Sequence, residues 1–329
     1  MRRWHIRQMK KTLLTALALA LSAAPLAAQD GSAEAPTPGS IVAAADASEW
    51  SAIDPADLLV MELAPGAGGE ARQVVIQLVP PPFSEGWTGN IRALARAHWW
   101  DGTSVYRVVD NWVAQWGDVD EAKPLPEGLR EVPESEYVTP VQRDPAGVRD
   151  FVLTPERAEI VVNRFVDSYA VTGFVAGWPV GLDDEGGRTA WPVHCYGHVG
   201  VARDLSPNTG SGSELYAVIG HAPRALDRNI AVVGRVIEGI EHLSTLPRGK
   251  GEAGVYDDPA LRVPIVSARL GDELPEAERP RFEYLASESE SFAKYLQVRA
   301  NRNDPFYRVP AGGVDLCSVQ VPIRRVAEE

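Results

Sequence analysis

The residues best placed to do chemistry are one arginine and one glutamine, Arg107 and Gln115, set into the apolar run Trp99-Trp100-Asp101-Gly102-Thr103-Ser104-Val105-Tyr106-Arg107-Val108-Val109-Asp110-Asn111-Trp112-Val113-Ala114-Gln115-Trp116-Gly117-Asp118. With a period of two, Val105, Arg107 and Val109 share one face of a strand, and Val113 and Gln115 share a face of the next. Asp110-Asn111 tolerates the left-handed backbone of a tight turn, so the spacing predicts a hairpin. A guanidinium cannot discharge to escape an apolar wall, so it needs an acceptor there. An isolated arginine of this kind is commonly half of a structural ion pair. With a glutamine on the neighbouring strand it also suits a bound polar client.

Other chemistries fit less well. His194-Cys195-Tyr196-Gly197-His198 offers three potential zinc ligands, but its glycine argues against a helix, and a disulfide-bonded Cys195 could not ligate, so no metal is expected. A Gly-x-Ser-x-Gly nucleophile motif is missing, and the six histidines suggest no triad. Thr209-Gly210-Ser211-Gly212-Ser213 lacks the lysine of a phosphate cradle.

Short β-rich runs at 58–63 and 73–79 flank Pro65-Gly66-Ala67-Gly68-Gly69, a hairpin pattern. Residues 90–100 read as a helix, with Ile91, Leu94, Ala95 and His98 on one stripe and Thr88 and Asn90 available as caps. This helix is expected to plug a barrel. Residues 119–191 form a long, proline-rich insertion with one β-like run at 169–176. An insertion of that size walls a site or carries its own structure. A short helix is expected at 239–246, a closing strand at 263–270, and an appendage beyond 273 with a helix at 287–302 and a strand at 314–321.

Residues 1–28 carry five positive charges and no acidic residue, then an apolar stretch ending in Leu26-Ala27-Ala28. This reads as a secretory signal peptide, followed by a flexible leader at 29–56. Its removal takes the net charge from -13 to -18, which disfavours nucleic acid as a partner. The rest holds no run of membrane length, so no membrane association is expected after cleavage. Cys195 and Cys317 are the two cysteines. In an oxidising compartment they are expected to pair rather than remain free thiols, subject to a geometry that sequence does not reveal.

A second block follows the Arg107 run: Gly200-Val201-Ala202-Arg203-Asp204, Pro207-Asn208-Thr209, Gly212-Ser213-Glu214-Leu215-Tyr216, Leu226-Asp227-Arg228-Asn229 and Val232-Val233-Gly234-Arg235-Val236. In order and content the two blocks resemble the cyclophilin family of peptidyl-prolyl cis/trans isomerases, over residues 57–272. The resemblance implies a mainly β fold, a closed eight-stranded antiparallel barrel capped by helices, with the 119–191 insertion and an α/β extension at 273–329 packed on the domain. It implies rotation of X-Pro bonds in exported or folding polypeptides without cofactor or metal. Arg107 matches the family's catalytic arginine and Gln115 its substrate-orienting glutamine. Trp112, Val113, Tyr216 and Leu226 match the positions that receive the proline ring. Ala202 and Arg203 match the stretch that binds the residues before proline. With the signal peptide, the expectation is a periplasmic protein of a Gram-negative bacterium, its clients and oligomeric state unspecified.

This chain departs from the family at the rim, where Ala225 replaces a frequent tryptophan and Ile230 a histidine or tyrosine. Weak cyclosporin binding is therefore expected. Glu214 replaces a common glutamine and is expected to pair with Arg107. A proline-peptide binder or chaperone with little turnover is the alternative from another class.

Overall fold

Apolar runs bounded by turn residues become strands, and the computed structural model describes residues 35–143, 151–153, 159–163, 167–183 and 188–326. The signal-peptide reading falls on residues 1–28, outside the described residues. Within them, α1 (Pro38–Ala44) and β1 (Trp50–Ala52) come first. Then follow β2 (Leu58–Leu63), β3 (Arg72–Leu78), α2 (Glu85–Arg96), β4 (Ser104–Val108) and β5 (Val113–Gly117). Next are β6 (Thr139–Arg143), β7 (Phe151–Leu153), β8 (Glu159–Asn163), β9 (Val171–Val175), β10 (Trp178–Asp183) and β11 (Thr189–Pro192). After these come β12 (His198–Val201), β13 (Leu215–Val218), β14 (Val232–Glu238), α3 (Glu241–Ser244) and β15 (Val263–Leu270). The last elements are β16 (Phe282–Leu285), α4 (Glu290–Ala300) and β17 (Ile323–Arg325).

Eight strands close an antiparallel barrel in the order β12-β13-β5-β4-β15-β2-β3-β14. Its core joins Leu59, Met61, Ile76, Val105, Trp116 and Val199 to the buried stripe of α2, Trp87, Ile91 and Leu94. That helix starts earlier than the capping residues suggest. Ser84 precedes it in the left-handed region with no side-chain cap, while Thr88 and Asn90 are buried inside it. Asn90 instead donates to the carbonyls of Arg130 (2.8 Å) and Ser211 (2.9 Å), fastening the insertion and the glycine loop to the helix.

The insertion forms a second closed barrel, β10-β11-β6-β7-β8-β9. It buries Val141, Val175, Trp178, Val180, Leu182 and Ala190 together with Val79 and Phe83 from the first barrel. Arg235 of β14 joins the two, donating to Gln77 Oε1 (2.9 Å) and to the carbonyl of Gly177 (2.7 Å) with its guanidinium 4.3 Å from the Trp178 ring centre. Burial pulls its pKa down to about 9.

The flexible leader expected at 29–56 is corrected from residue 35 onward. Thr37 and Ser40 form a reciprocal capping box with Pro38 at the first turn, which fixes α1. Trp50 then pairs with Leu285, so β1 and β17 flank β16 in a three-stranded sheet. Trp50, Phe174, Trp191, Leu285, Phe292 and Leu316 share one apolar cluster, uniting this segment, the second barrel and the C-terminal part. The strand expected at 314–321 is a 3-10 turn, Leu316–Ser318, with β17 after it. Cys195 and Cys317 are bridged with their Cα atoms 5.1 Å apart.

Candidate active site

β4 and β5 form the hairpin that presents Arg107 and Gln115, with Asn111 at φ 52° in its turn. The alternation is interrupted by a bulge: Val105 opposes Trp116 and Arg107 opposes Gln115, leaving Tyr106 as the extra residue. Val105 and Val108 both enter the core while Tyr106 is re-aimed towards the site. Strict period-two reading of 105, 107 and 109 is corrected accordingly.

Half-buried Arg107 donates from Nη1 to Gln115 Oε1 (2.8 Å) and from Nε to the carbonyl of Ala253 (2.6 Å). Among the described residues its Nη2 has no protein acceptor. Gln115 Nε2 donates to the Tyr106 hydroxyl (2.5 Å), which donates to Glu214 Oε2 (2.8 Å). The Asp118 backbone N–H closes the series on Glu214 Oε1 (2.7 Å). Glu214 therefore pairs with Tyr106 and Asp118 rather than with Arg107, to which it is linked only through Tyr106 and Gln115. Gly117 makes this possible, since a Cβ there would lie 2.1 Å from Glu214 Oε1. Burial draws the Arg107 pKa down. Burial pushes the Tyr106 phenol far up, with the Glu214 charge adding to it, and burial also raises Glu214 against the two hydrogen bonds it accepts.

Two surfaces adjoin this polar series. Val113, Tyr216 and Val218 form a small apolar cluster flanked by Ala202, Leu226 and Ile230. Trp112 lies outside that cluster at the hairpin end, 42% exposed. On the other side a cleft of about 400 Å³ is lined by Tyr106, Gln115, Glu214, Ala202 and Arg203, and walled by Asp118 to Leu125 at the start of the insertion. Ala202 belongs to both surfaces. The Arg203 guanidinium is committed to the carbonyls of Asn229 (3.0 and 2.8 Å) and Asp204 (2.6 Å). Ala225 is exposed beside Leu226, and Ile230 is partly buried.

Sequence reasoning missed Tyr106 and Ala253. Tyr106 adjoins Arg107, but only a bulge brings neighbouring side chains of a strand to one site, and no residue type announces it. Ala253 contributes a carbonyl from a turn at φ 53°, a signal that no side chain carries. The side chains of His194, Cys195 and His198 are each taken by protein partners. Cys195 is in the disulfide, His194 bonds Asp227 and Tyr216, and His198 Nδ1 meets the Val193 carbonyl at 2.5 Å. Burial lowers the His198 pKa to about 3.

Comparison with known proteins accords with this architecture. The crystal structure of cyclophilin AquaCyp293 from Hirschia baltica matches with a TM-score of 0.63 and 24% identity, over 90% of this chain and 99% of that one, a likeness of fold. No curated protein matches the chain. The family model "Cyclophilin type peptidyl-prolyl cis-trans isomerase/CLD" matches residues 87–270, more than half of the sequence and the stretch that carries every residue of the Arg107 series. The chain thus belongs to the cyclophilin-type peptidyl-prolyl cis-trans isomerases.

Proposed function

We propose that the protein accelerates X-Pro rotation in exported or folding polypeptides by non-covalent electrostatic catalysis. The observation that carries this reading is an Arg107 guanidinium tethered at two nitrogens, by Ala253 and Gln115, with a third nitrogen left for substrate. Amide resonance sets a barrier of about 18–20 kcal/mol, and no bond needs to break. A donor to the prolyl nitrogen localises its lone pair and favours the twisted state over both planar ones. The two tethers fix the guanidinium before substrate arrives, so little reorganisation accompanies the rotation. Val113, Tyr216 and Leu226 receive the proline ring, Trp112 stands at the open edge, and Ala202 and Arg203 bound the cleft that takes the preceding residues. The client is a proline-containing polypeptide.

The cationic, apolar and small-residue succession in residues 1–28 supports delivery to the periplasm. The Cys195–Cys317 bridge accords with an oxidising compartment. Fractionation of cells expressing the full chain, with mass determination of the mature N-terminus, tests this; a cytoplasmic protein retaining residues 1–28 contradicts it.

A proline-isomerisation assay on an X-Pro tetrapeptide tests the activity, using the wild type and Arg107→Ala. Catalysis lost in the variant supports the mechanism. Equal rates favour the binder or chaperone.

A further inference from the structure

One buried imidazole has no part in the mechanism above. His194 lies in the segment that returns from the second barrel to β12, and its side chain is 1% exposed. Its Nε2 is 2.9 Å from the Tyr216 hydroxyl, and its Nδ1 is 3.0 Å from Asp227 Oδ1. Its backbone N–H donates to the same carboxylate oxygen at 2.9 Å. Asp227 follows Leu226 directly in the chain. One planar ring thus links Tyr216, in the apolar cluster, to the turn that carries that cluster's flank.

Both attachments are anchored. Tyr216 opposes Gly200 on β12, where a Cβ would fall 2.3 Å from the tyrosine hydroxyl, so the glycine makes the room that lets the phenol reach His194. Asp227 Oδ2 accepts from Arg224 Nε (2.6 Å), and Arg224 Nη1 donates to Asp167 Oδ2 (3.0 Å) ahead of β9 in the second barrel. Burial raises the Tyr216 pKa strongly, which keeps its hydroxyl protonated and able to donate. Burial favours protonation of Asp227, but the bonds from His194 and Arg224 bring its pKa below the ordinary value, so it remains a charged acceptor. An imidazole that only filled space would need neither partner. Two directional bonds from different positions on a rigid ring set a separation.

We infer that His194 is a positioning residue that braces Tyr216 against the Leu226–Asp227 turn and thereby sets the width of the pocket for the proline ring. The inference rests on the apolar cluster being that pocket. Width determines which ring fits, so the brace also governs selection between proline and its six-membered homologue, pipecolic acid.

The test uses the full oxidised chain and two variants that cut one link from opposite ends. Tyr216→Phe deletes a single oxygen. His194→Asn keeps a donor near Asp227 and loses the reach to Tyr216. Each is expected to lower kcat/KM for an X-Pro tetrapeptide about three- to tenfold, through KM, the size expected for one buried hydrogen bond. The preference for prolyl over pipecolyl peptide, read from NMR exchange rates, should shrink in both. The double variant should cost no more than the worse single one, as for two cuts of one contact. Wild-type KM and ring preference in Tyr216→Phe would overturn the brace even if His194→Asn failed to fold. Arg107→Ala, run alongside, separates the cases: unchanged turnover there withdraws the site itself, whereas loss there with normal Tyr216→Phe withdraws only the brace.

Discussion

Among the described residues, two closed antiparallel barrels bury themselves differently. The eight-stranded barrel packs its own strands against Trp87, Ile91 and Leu94 of α2, with Val132 and Tyr137 added from the start of the insertion. Among the described residues, the six-stranded barrel gathers a smaller core around Trp178, which Val79 and Phe83 of its neighbour complete. Its Phe174 and Trp191 pack in a further cluster with Trp50, Leu285 and Phe292. The first barrel is therefore a scaffold filled mainly by its own strands and helix, with the candidate site on its wall. The second is built in partnership; the segment that leads into it walls the cleft, and its return segment supplies His194.

Four perturbations sharpen or break that contrast. Trp178→Ala should cost about 3–5 kcal/mol of stability, because a large, fully buried side chain leaves a cavity in a small core. Chemical denaturation measures it, and kcat/KM of the folded fraction should stay within about twofold, as expected for sites with no shared partner. A parallel collapse of activity would mean that the barrels are one catalytic unit. Arg107→Ala should do the reverse, lowering kcat/KM about 100- to 1,000-fold with little change in melting temperature, the range for removing a preorganised donor.

Replacing both Cys195 and Cys317 by serine should lower stability by about 2–4 kcal/mol, since a bridge spanning 122 residues restricts the unfolded chain. Thermal melts with and without reductant measure this. The smallest effect is expected at Glu214. Burial raises its folded pKa, so the folded state binds more protons than the unfolded chain between the ordinary carboxylate value and the raised one. Stability then falls as pH rises through that window. Glu214→Gln should be more stable than the wild type above the window, with the advantage fading below it. Denaturation midpoints across pH measure the slope, and turnover of this variant shows whether the Glu214–Tyr106 bond serves Gln115.

The sequence disclosed what local pattern controls. β2 and β15 coincide with the expected 58–63 and 263–270 because each is an apolar run between turn residues. Arg107 and Gln115 were legible because polar residues in such a run are conspicuous, and the structure brings them to 2.8 Å. The second barrel was not, because its strands are short and proline-interrupted, and a pairing partner leaves little mark on a three-residue strand. The segment from residue 35 looked like a linker because its order arises from tertiary contacts, Trp50 meeting Leu285 far along the chain. The partnership of Glu214 with Tyr106 instead of Arg107 is not legible, because a bulge shifts the geometry without a signature in residue type.

The 122-residue separation of the bridged cysteines also bears on how the protein matures. Chain elongation delivers Cys195 well before its partner, so the bridge has no second half until the C-terminal segment has been made. Once closed, the bridge covalently holds the C-terminal segment against the residues that enter β12, so release of either end no longer frees that segment from the domain.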